Sequence, residues 1–116
     1  MQNVAVIVAE GALDISETKI IAAAISAMAA RGQGQIILDW AAVEGINPLA
    51  IGLLLDRRHA ALNSGGALKF CRMTAAVRKI FLRFKVEEFF ECYETLEDAI
   101  ESFNREWEPR EIDAVI

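Results

Sequence analysis

The sequence has few of the residues that build metal sites and disulfide scaffolds. Its 116 residues include two cysteines and one histidine. Cys71 and Cys92 have neither the number nor the spacing of a disulfide framework or a zinc site, so we expect no metal and no cofactor. Cys71 ends an apolar segment and is predicted to be a buried thiol. His59 has no apparent nucleophile beside it and is predicted to lie on the surface of a helix.

Long apolar runs are also missing. No run approaches the ~18 to 20 residues that a membrane-spanning helix needs. Acidic residues precede the alanine-rich stretch in the first third of the chain, and no basic segment of the kind found in secretion signals occurs there. We therefore expect a soluble, cytoplasmic chain without membrane insertion. The net charge of −5 argues against general binding to nucleic acid.

The charges that are present are unevenly distributed. Residues 69–85 contain six basic side chains and no acidic one, whereas acidic residues predominate from Glu87 onward. One interpretation is that these are the solvated faces of two helices. The other is a basic surface for an acidic partner, with Arg78 and Lys79 as candidate interface residues.

Apolar residues follow strand and helix periods in turn along the chain. The predicted strands are residues 4–8, 35–39, 67–71 and 89–93, and Gly11 is predicted to break the first of them. The predicted helices cover residues 16–31, 48–63, 75–84 and 95–103. Ser16, Thr74 and Thr95 are the predicted caps, and Pro48 begins the second helix. This alternation predicts an α/β domain with a mixed, mainly parallel sheet of about four to five strands and about four helices. We expect the domain to span residues 1–108, with a tail at residues 109–116.

The turn between the second strand and the second helix is the most informative segment. Asn47 is suited to cap a helix, and Pro48 is pre-organised for the first helical position. The free N–H groups of a helix N-terminus favour a phosphate or an acidic partner. Pro48, Leu49 and Ala50 carry no hydroxyl, thiol or charge, so the turn has the position of a phosphate switch without its chemistry.

Two carboxylates follow or end the first two predicted strands. Asp14 comes after the first, and Asp39 ends the second. Because the carboxyl ends of parallel strands share one edge of a sheet, both could flank the Asn47 turn and line a pocket there. The alternative is that they only cap loops.

Several of these segments resemble one known family. The Gly-Ala-Leu-Asp turn ending at Asp14 resembles the Gly-Glu-Leu-Asp turn of STAS domains in bacterial anti-sigma-factor antagonists. The strand ending at Asp39, the Gly65-Gly66 pair and residues 71–81 also fall on family segments. Residues 46–52 fall without a gap on the family's Asp-Ser-Ser-Gly-Leu-Gly turn.

The resemblance implies a STAS-like fold and a protein without enzymatic activity. Such antagonists bind an anti-sigma factor that is also a serine kinase, and phosphorylation of a serine at the turn weakens the complex. Here Asn47 replaces the family's aspartate, Pro48 the phosphorylated serine, Leu49 the next serine and Ala50 the first glycine. The resemblance therefore implies a partner-binding turn at residues 47–50 that cannot carry the usual phosphate.

Other functions remain open at this point. The chain could be a STAS accessory subunit of a lipid-transport or stress-signalling complex. A different class is a small-ligand-binding protein or enzyme that uses Asp14 and Asp39. Trp40 could be an apolar anchor of the interface or part of the core, and a homodimer is a further option.

Overall fold

The computed structural model describes residues 4–105, which form a parallel sheet covered by helices on both faces. The strands are β1 (Ala5–Leu13), β2 (Gln35–Ile46), β3 (Ala67–Cys71) and β4 (Cys92–Tyr93). The helices are α1 (Ile15–Ala30), α2 (Ile51–Asn63), α3 (Ala75–Arg83) and α4 (Leu96–Arg105). Two short 3-10 helices, η1 (Pro48–Ala50) and η2 (Glu87–Phe89), precede α2 and β4.

The predicted α/β class is confirmed. Within residues 4–105 the sheet has four strands in the order β1-β2-β3-β4, and every pairing is parallel. The boundary expected at residue 108 and the tail expected at residues 109–116 lie outside the described residues.

The core divides into two parts because successive strand side chains point to opposite faces of the sheet. On β2, Ile36, Leu38 and Trp40 pack in the larger cluster, which buries apolar residues of α1, α2 and α3. Ile37, between them, packs in the smaller cluster with Ala99 and Phe103 of α4. Three helices thus cover one face, and α4 covers the other.

The first two strands run further than the sequence predicted. The predicted ends were residue 8, before the Gly11 break, and Asp39; β1 and β2 instead pair on to Leu13 and Ile46. Register shifts after Val8 and Gly11 let the ladder continue, and Gly11 adopts φ +73, which glycine tolerates. The extension matters because it places the Asn47 turn away from β3, which pairs with β2 only as far as Asp39.

Three helix starts show how local capping works. Asp14, not the predicted Ser16, caps α1, because Asp14 and Glu17 form a reciprocal capping box. Thr74 caps α3 as predicted, accepting from the N–H of Val77. Thr95 accepts from the N–H of Asp98 at 3.0 Å, as expected for the cap of α4.

The predicted strand at residues 89–93 is only partly correct. Residues 87–89 form η2, and only Cys92 and Tyr93 pair with β3. Phe90 lies between η2 and β4 in the chain; it is buried and stacks on Phe70 with ring centroids 4.4 Å apart. Packing of that aromatic ring in the core takes precedence over extension of the edge strand.

A buried lysine joins α4 to the sheet. Lys69 is 1% exposed, and its Nζ donates to Ser102 Oγ at 3.0 Å and lies 4.2 Å from the centroid of the Phe103 ring. Glu91 Oε2 is 3.5 Å from the same nitrogen. Lys69 therefore does not belong to the exposed basic surface that the sequence suggested for residues 69–85.

Candidate functional site

The turn after β2 is held by hydrogen bonds from one residue. The Asn47 backbone N–H donates to the carbonyl of Leu13 at 2.8 Å, and its side-chain Oδ1 accepts from the N–H of Leu49 at 3.0 Å. Its carbonyl accepts from the N–H of Ala50 at 2.8 Å. Pro48 occupies the first position of η1, where a missing N–H costs nothing. The predicted Asn-Pro cap is confirmed.

A second bond ties this turn to the start of α1. Asn47 Nδ2 donates to Asp14 Oδ1 at 2.9 Å, and that oxygen also accepts from the N–H of Ile15 at 2.8 Å. The hydrogen bond from Asn47, followed by that from Ile15, lowers the pKa of Asp14. The carboxyl ends of β1 and β2 therefore present one linked unit, as expected for neighbouring parallel strands.

An open cleft of about 440 Å³ lies at this unit and is lined by residues of both strand ends: Ala12, Leu13, Asp14, Gly45, Ile46 and Asn47. Beside it Pro48 is exposed and Leu49 is 75% exposed. An apolar side chain so far from the core is a candidate anchor for a protein partner. Ala50 is fully buried, so the prediction that it belongs to the partner surface is wrong: its side chain packs in the core beneath the turn.

Asp39 does not share this cleft. It lies mid-strand on β2, seven positions before Ile46, which pairs with Leu13 beside Asp14. At about 3.3 Å per strand residue, the two carboxylates are on the order of 20 Å apart. The expected pocket with both Asp14 and Asp39 is therefore wrong, because the extension of β2 places only Asp14 at the turn.

Asp39 is buried and instead forms an ion pair with the half-exposed side chain of Arg72. Arg72 Nε donates to Asp39 Oδ1 at 3.1 Å, and its Nη2 contacts Oδ2. The carboxylate is 2% exposed and also accepts from the N–H of Ala41. The bond from Arg72 lowers the pKa of Asp39 against the opposing effect of burial. Burial, with the nearby Asp39 charge, raises the pKa of the Cys71 thiol to about 11, so this thiol is protonated at neutral pH.

The Asp39 pair makes a testable contribution to acid stability. A carboxyl group whose pKa is lower in the folded state stabilises the fold above its unfolded value of about 3.9 and loses this effect as pH falls through its folded pKa. We expect the free energy of unfolding to fall less steeply below about pH 4 in Asp39→Asn than in the wild type. Urea unfolding at a series of pH values measures both slopes; equal slopes would contradict a lowered Asp39 pKa.

Trp40 belongs to the core. Its side chain is 0% exposed and makes edge contacts with Phe70 and Phe81, with ring centroids 5.0 and 5.6 Å away. The alternative that Trp40 anchors an interface is wrong, because its side chain lies on the face of β2 that α1, α2 and α3 cover. Arg78 and Lys79 are exposed on α3, as the spacing of its apolar residues predicted.

No sequence pattern pointed to Arg72 as the partner of Asp39. These residues are 33 positions apart and meet because β2 and β3 pair in register at Asp39 and Cys71. Arg72 follows that pair and adopts φ +56, a left-handed conformation uncommon for arginine. Only knowledge of the strand register could have identified the pair.

Within residues 4–105, no three His, Cys, Asp or Glu side chains are grouped so that they could hold a metal ion. No helix among those residues has the length and apolar character needed to cross a membrane.

The family of this chain follows from a match to a known family model. The model of the STAS domain matches residues 1–99 of the chain. This chain belongs to the STAS domain family. The match includes both strand ends, the linked Asp14 and Asn47, and the whole of α2 and α3.

Solved structures share the fold of this STAS domain. TM1081 from Thermotoga maritima has a TM-score of 0.77 at 18% identity, over 85% of this chain and 86% of that one. The anti-sigma factor antagonist SpoIIAA in its unphosphorylated form has a TM-score of 0.76 at 24% identity, over 90% of each chain. An anti-sigma factor antagonist from Mycobacterium paratuberculosis has a TM-score of 0.73 at 22% identity, over 85% and 84%. At these identities the likeness shows the fold alone. No curated protein sequence matches this STAS domain.

The turn of this STAS domain has no side-chain hydroxyl. Residues 44–52 contain no serine, threonine, tyrosine or histidine. The turn has a hydrogen-bonded backbone and an exposed Leu49, and the Asp14 carboxylate lies beside the cleft. The exposed features of the turn are therefore an apolar side chain and a carboxylate.

Proposed function

We propose that this STAS domain is a non-catalytic regulatory protein that binds a kinase-type anti-sigma factor, or a similar regulator, through residues 47–49. Two structural relatives are described as anti-sigma factor antagonists, and one of them, SpoIIAA, is known in a phosphorylated form. The observation that carries the proposal is the rigid turn with Leu49 exposed at its tip.

The hydrogen bonds of the Asn47 turn explain how a partner would bind without a catalytic group. Asn47 is fixed through hydrogen bonds to both Leu13 and Asp14, so little backbone conformational entropy is lost when a partner docks. Leu49 projects from this fixed frame and supplies an apolar contact that a partner pocket can bury. The separation of Asp14 from Asp39 removes the paired carboxylates on which an enzymatic alternative depended.

The absence of a hydroxyl at residues 44–52 has a regulatory consequence. In a phosphorylated turn, an added charge of about −1.5 to −2 weakens the complex with the kinase. This turn cannot gain that charge, so the complex would persist in the presence of ATP. Regulation would then depend on the amount of the protein or on a site elsewhere in the chain.

The test compares three immobilised forms of the chain: wild type, Leu49→Asp and Leu62→Asp. Leu62 is the matched control, since it is an exposed leucine near the other end of α2, on the order of 20 Å from Leu49. We expect wild type and Leu62→Asp to capture the same kinase-fold regulator from native lysate. Leu49→Asp should bind it at least about tenfold more weakly, the usual effect of losing an interface anchor.

The purified complex is then incubated with ATP and analysed by mass spectrometry. We expect no phosphate on residues 44–52 and an unchanged dissociation constant. Capture of the regulator by Leu49→Asp with wild-type affinity, while circular dichroism shows the variant folded, would place the interface elsewhere. Specific capture of a lipid-transport subunit or of a stress-signalling assembly would contradict the anti-sigma-factor partner and support that branch of the family.

A further inference from the structure

We propose that residues 110–116 add a fifth, parallel strand to the sheet at the free edge of β1. The proposal rests on three features of the described residues: an uncovered apolar edge on β1, the place where α4 ends, and the hand of the connection that would join the two. It is independent of the function proposed for the Asn47 turn.

The outer edge of β1 is apolar and has no strand beside it. Among residues 4–105, β1 pairs only with β2, so the backbone N–H and C=O groups along its other edge have no strand partner there. Residues 4–9 include no charged residue and no proline, the two features that usually protect an edge strand from pairing. The edge of β1 is therefore a surface to which a further strand can add.

The side chains at this edge are also uncovered on one face of the sheet. Ala5 and Ile7 pack against the larger core cluster, so Val6 and Val8 lie on the opposite face, the one that carries α4. On that face α4 packs against β2, β3 and β4. Val6 remains 38% exposed and Val8 60% exposed. A strand beside β1 would place side chains next to both valines and remove apolar surface from water.

The end of α4 lies near the amino end of β1. Phe103, in the last turn of α4, packs in the smaller cluster with Ala67, which begins β3, and with Val4, just before β1. Because α4 also packs against β2, the position beside β1 is about two strand spacings away, on the order of 10 Å. Residues 106–109 span on the order of 13 Å when extended, which is enough to cross that distance.

The hand of the connection selects the edge at β1 and excludes the edge at β4. Connections between parallel strands of one sheet are almost always right-handed. Helices α1, α2 and α3 make these connections on one face while the chain advances from β1 to β4. A return toward β1 keeps the same hand only if its helix lies on the other face, where α4 packs. A fifth strand beyond β4 would need a left-handed connection through α4.

The sequence after α4 suits an edge strand. Pro109 disfavours continuation of the helix, and after it Ile112, Ala114 and Ile116 recur at every second position, the period of a strand. Because this segment is attached to α4 close to β1, its local concentration at the edge is about millimolar. A second copy of the chain would have to reach that concentration in solution to compete, so the chain's own segment is favoured as the occupant.

Hydrogen exchange of the full-length chain, followed by mass spectrometry, tests this proposal. We expect the amides of residues 112–116 to exchange at least about tenfold more slowly than in a free peptide of the same sequence, because bonds to β1 must open first. The protection should be equal at about 5 and about 500 µM protein, since the pairing is intramolecular. Protection that appears only at the higher concentration would assign the edge to a second copy and overturn the proposal.

Two adjacent proline substitutions then distinguish a strand from any other contact. Neighbouring residues of a strand direct their N–H groups to opposite edges, so only one of Ala114 and Val115 donates to β1. We expect one of Ala114→Pro and Val115→Pro to lower the protection at least about tenfold and to speed exchange in residues 4–10 of β1. The other is its matched control and should stay within about threefold of wild type, because proline is tolerated where the N–H faces solvent.

Val115→Ile is a second control, since it keeps both the N–H and the strand preference, and it should retain wild-type protection. Two outcomes contradict a fifth strand. One is exchange of residues 112–116 in the wild type at the rate of the free peptide. The other is an equal effect of the two prolines, which would show that these residues do not alternate between two edges.

Discussion

Replacement of Trp40 by alanine is expected to lower the free energy of unfolding by about 3–5 kcal/mol. The side chain is 0% exposed and packs edge-on against Phe70 and Phe81. Phe70 and Phe81 in turn contact Phe90, so the lost ring leaves a cavity within a four-ring cluster. Since a domain of this size has only about 5–15 kcal/mol of total stability, this one change removes a large part of it.

Trp40→Phe is the matched control. It keeps an aromatic ring at the same place, and it removes an indole N–H that has no hydrogen-bond partner among the described residues. Its cost should stay below about 1.5 kcal/mol, because the lost volume is small and the unpaired donor is gone. Urea unfolding followed by far-ultraviolet circular dichroism measures both variants. A loss under about 1 kcal/mol in Trp40→Ala would contradict its place at the centre of the core.

Gly66→Ala is expected to lower the free energy of unfolding by about 3 kcal/mol. A Cβ atom at Gly66 would lie 2.1 Å from the carbonyl oxygen of Gly34. That oxygen accepts from the N–H of Ala67 at 2.9 Å, at the point where β3 joins β2. The backbone at Gly34 cannot move away from the added Cβ without weakening this hydrogen bond, so the steric contact persists.

Gly52→Ala separates this steric effect from the general effect of glycine. Gly52 is exposed near the start of α2, and an added Cβ would meet nothing within 4 Å. There alanine should raise stability by about 0.5–1 kcal/mol, because it favours the helix. Chemical denaturation of both variants tests the pair. If both changes shifted the unfolding midpoint in the same direction, the close approach of residues 34 and 66 would not be the cause.

The local parts of the candidate site could be predicted from the sequence because short-range chemistry determines them. Asn47 and Pro48 form a capped helix start through bonds within the turn itself. The absence of a hydroxyl at residues 44–52 can be read directly from the sequence. Thr74 likewise caps α3 through a bond to a residue three positions away. Such features depend on neighbours within one helical turn.

The roles of individual charged and aromatic residues could not be predicted in the same way. Asp39 looked like a strand-end carboxylate, but its surroundings are set by Arg72 on another strand. Lys69 looked like part of a basic surface, yet α4 covers it and supplies Ser102 and Phe103 as partners. In both cases the decisive contact joins residues more than 30 positions apart.

The sequence by itself determined the alternation of strands and helices, the family's turn and the absence of a hydroxyl at residues 44–52. The tertiary structure decided how far β1 and β2 extend, and with that which carboxylate reaches the cleft. It also decided that Trp40 and Ala50 are buried while Leu49 is exposed. The physical reason is that periodicity and capping are local properties of the chain, whereas strand register and burial depend on which distant segments pack together.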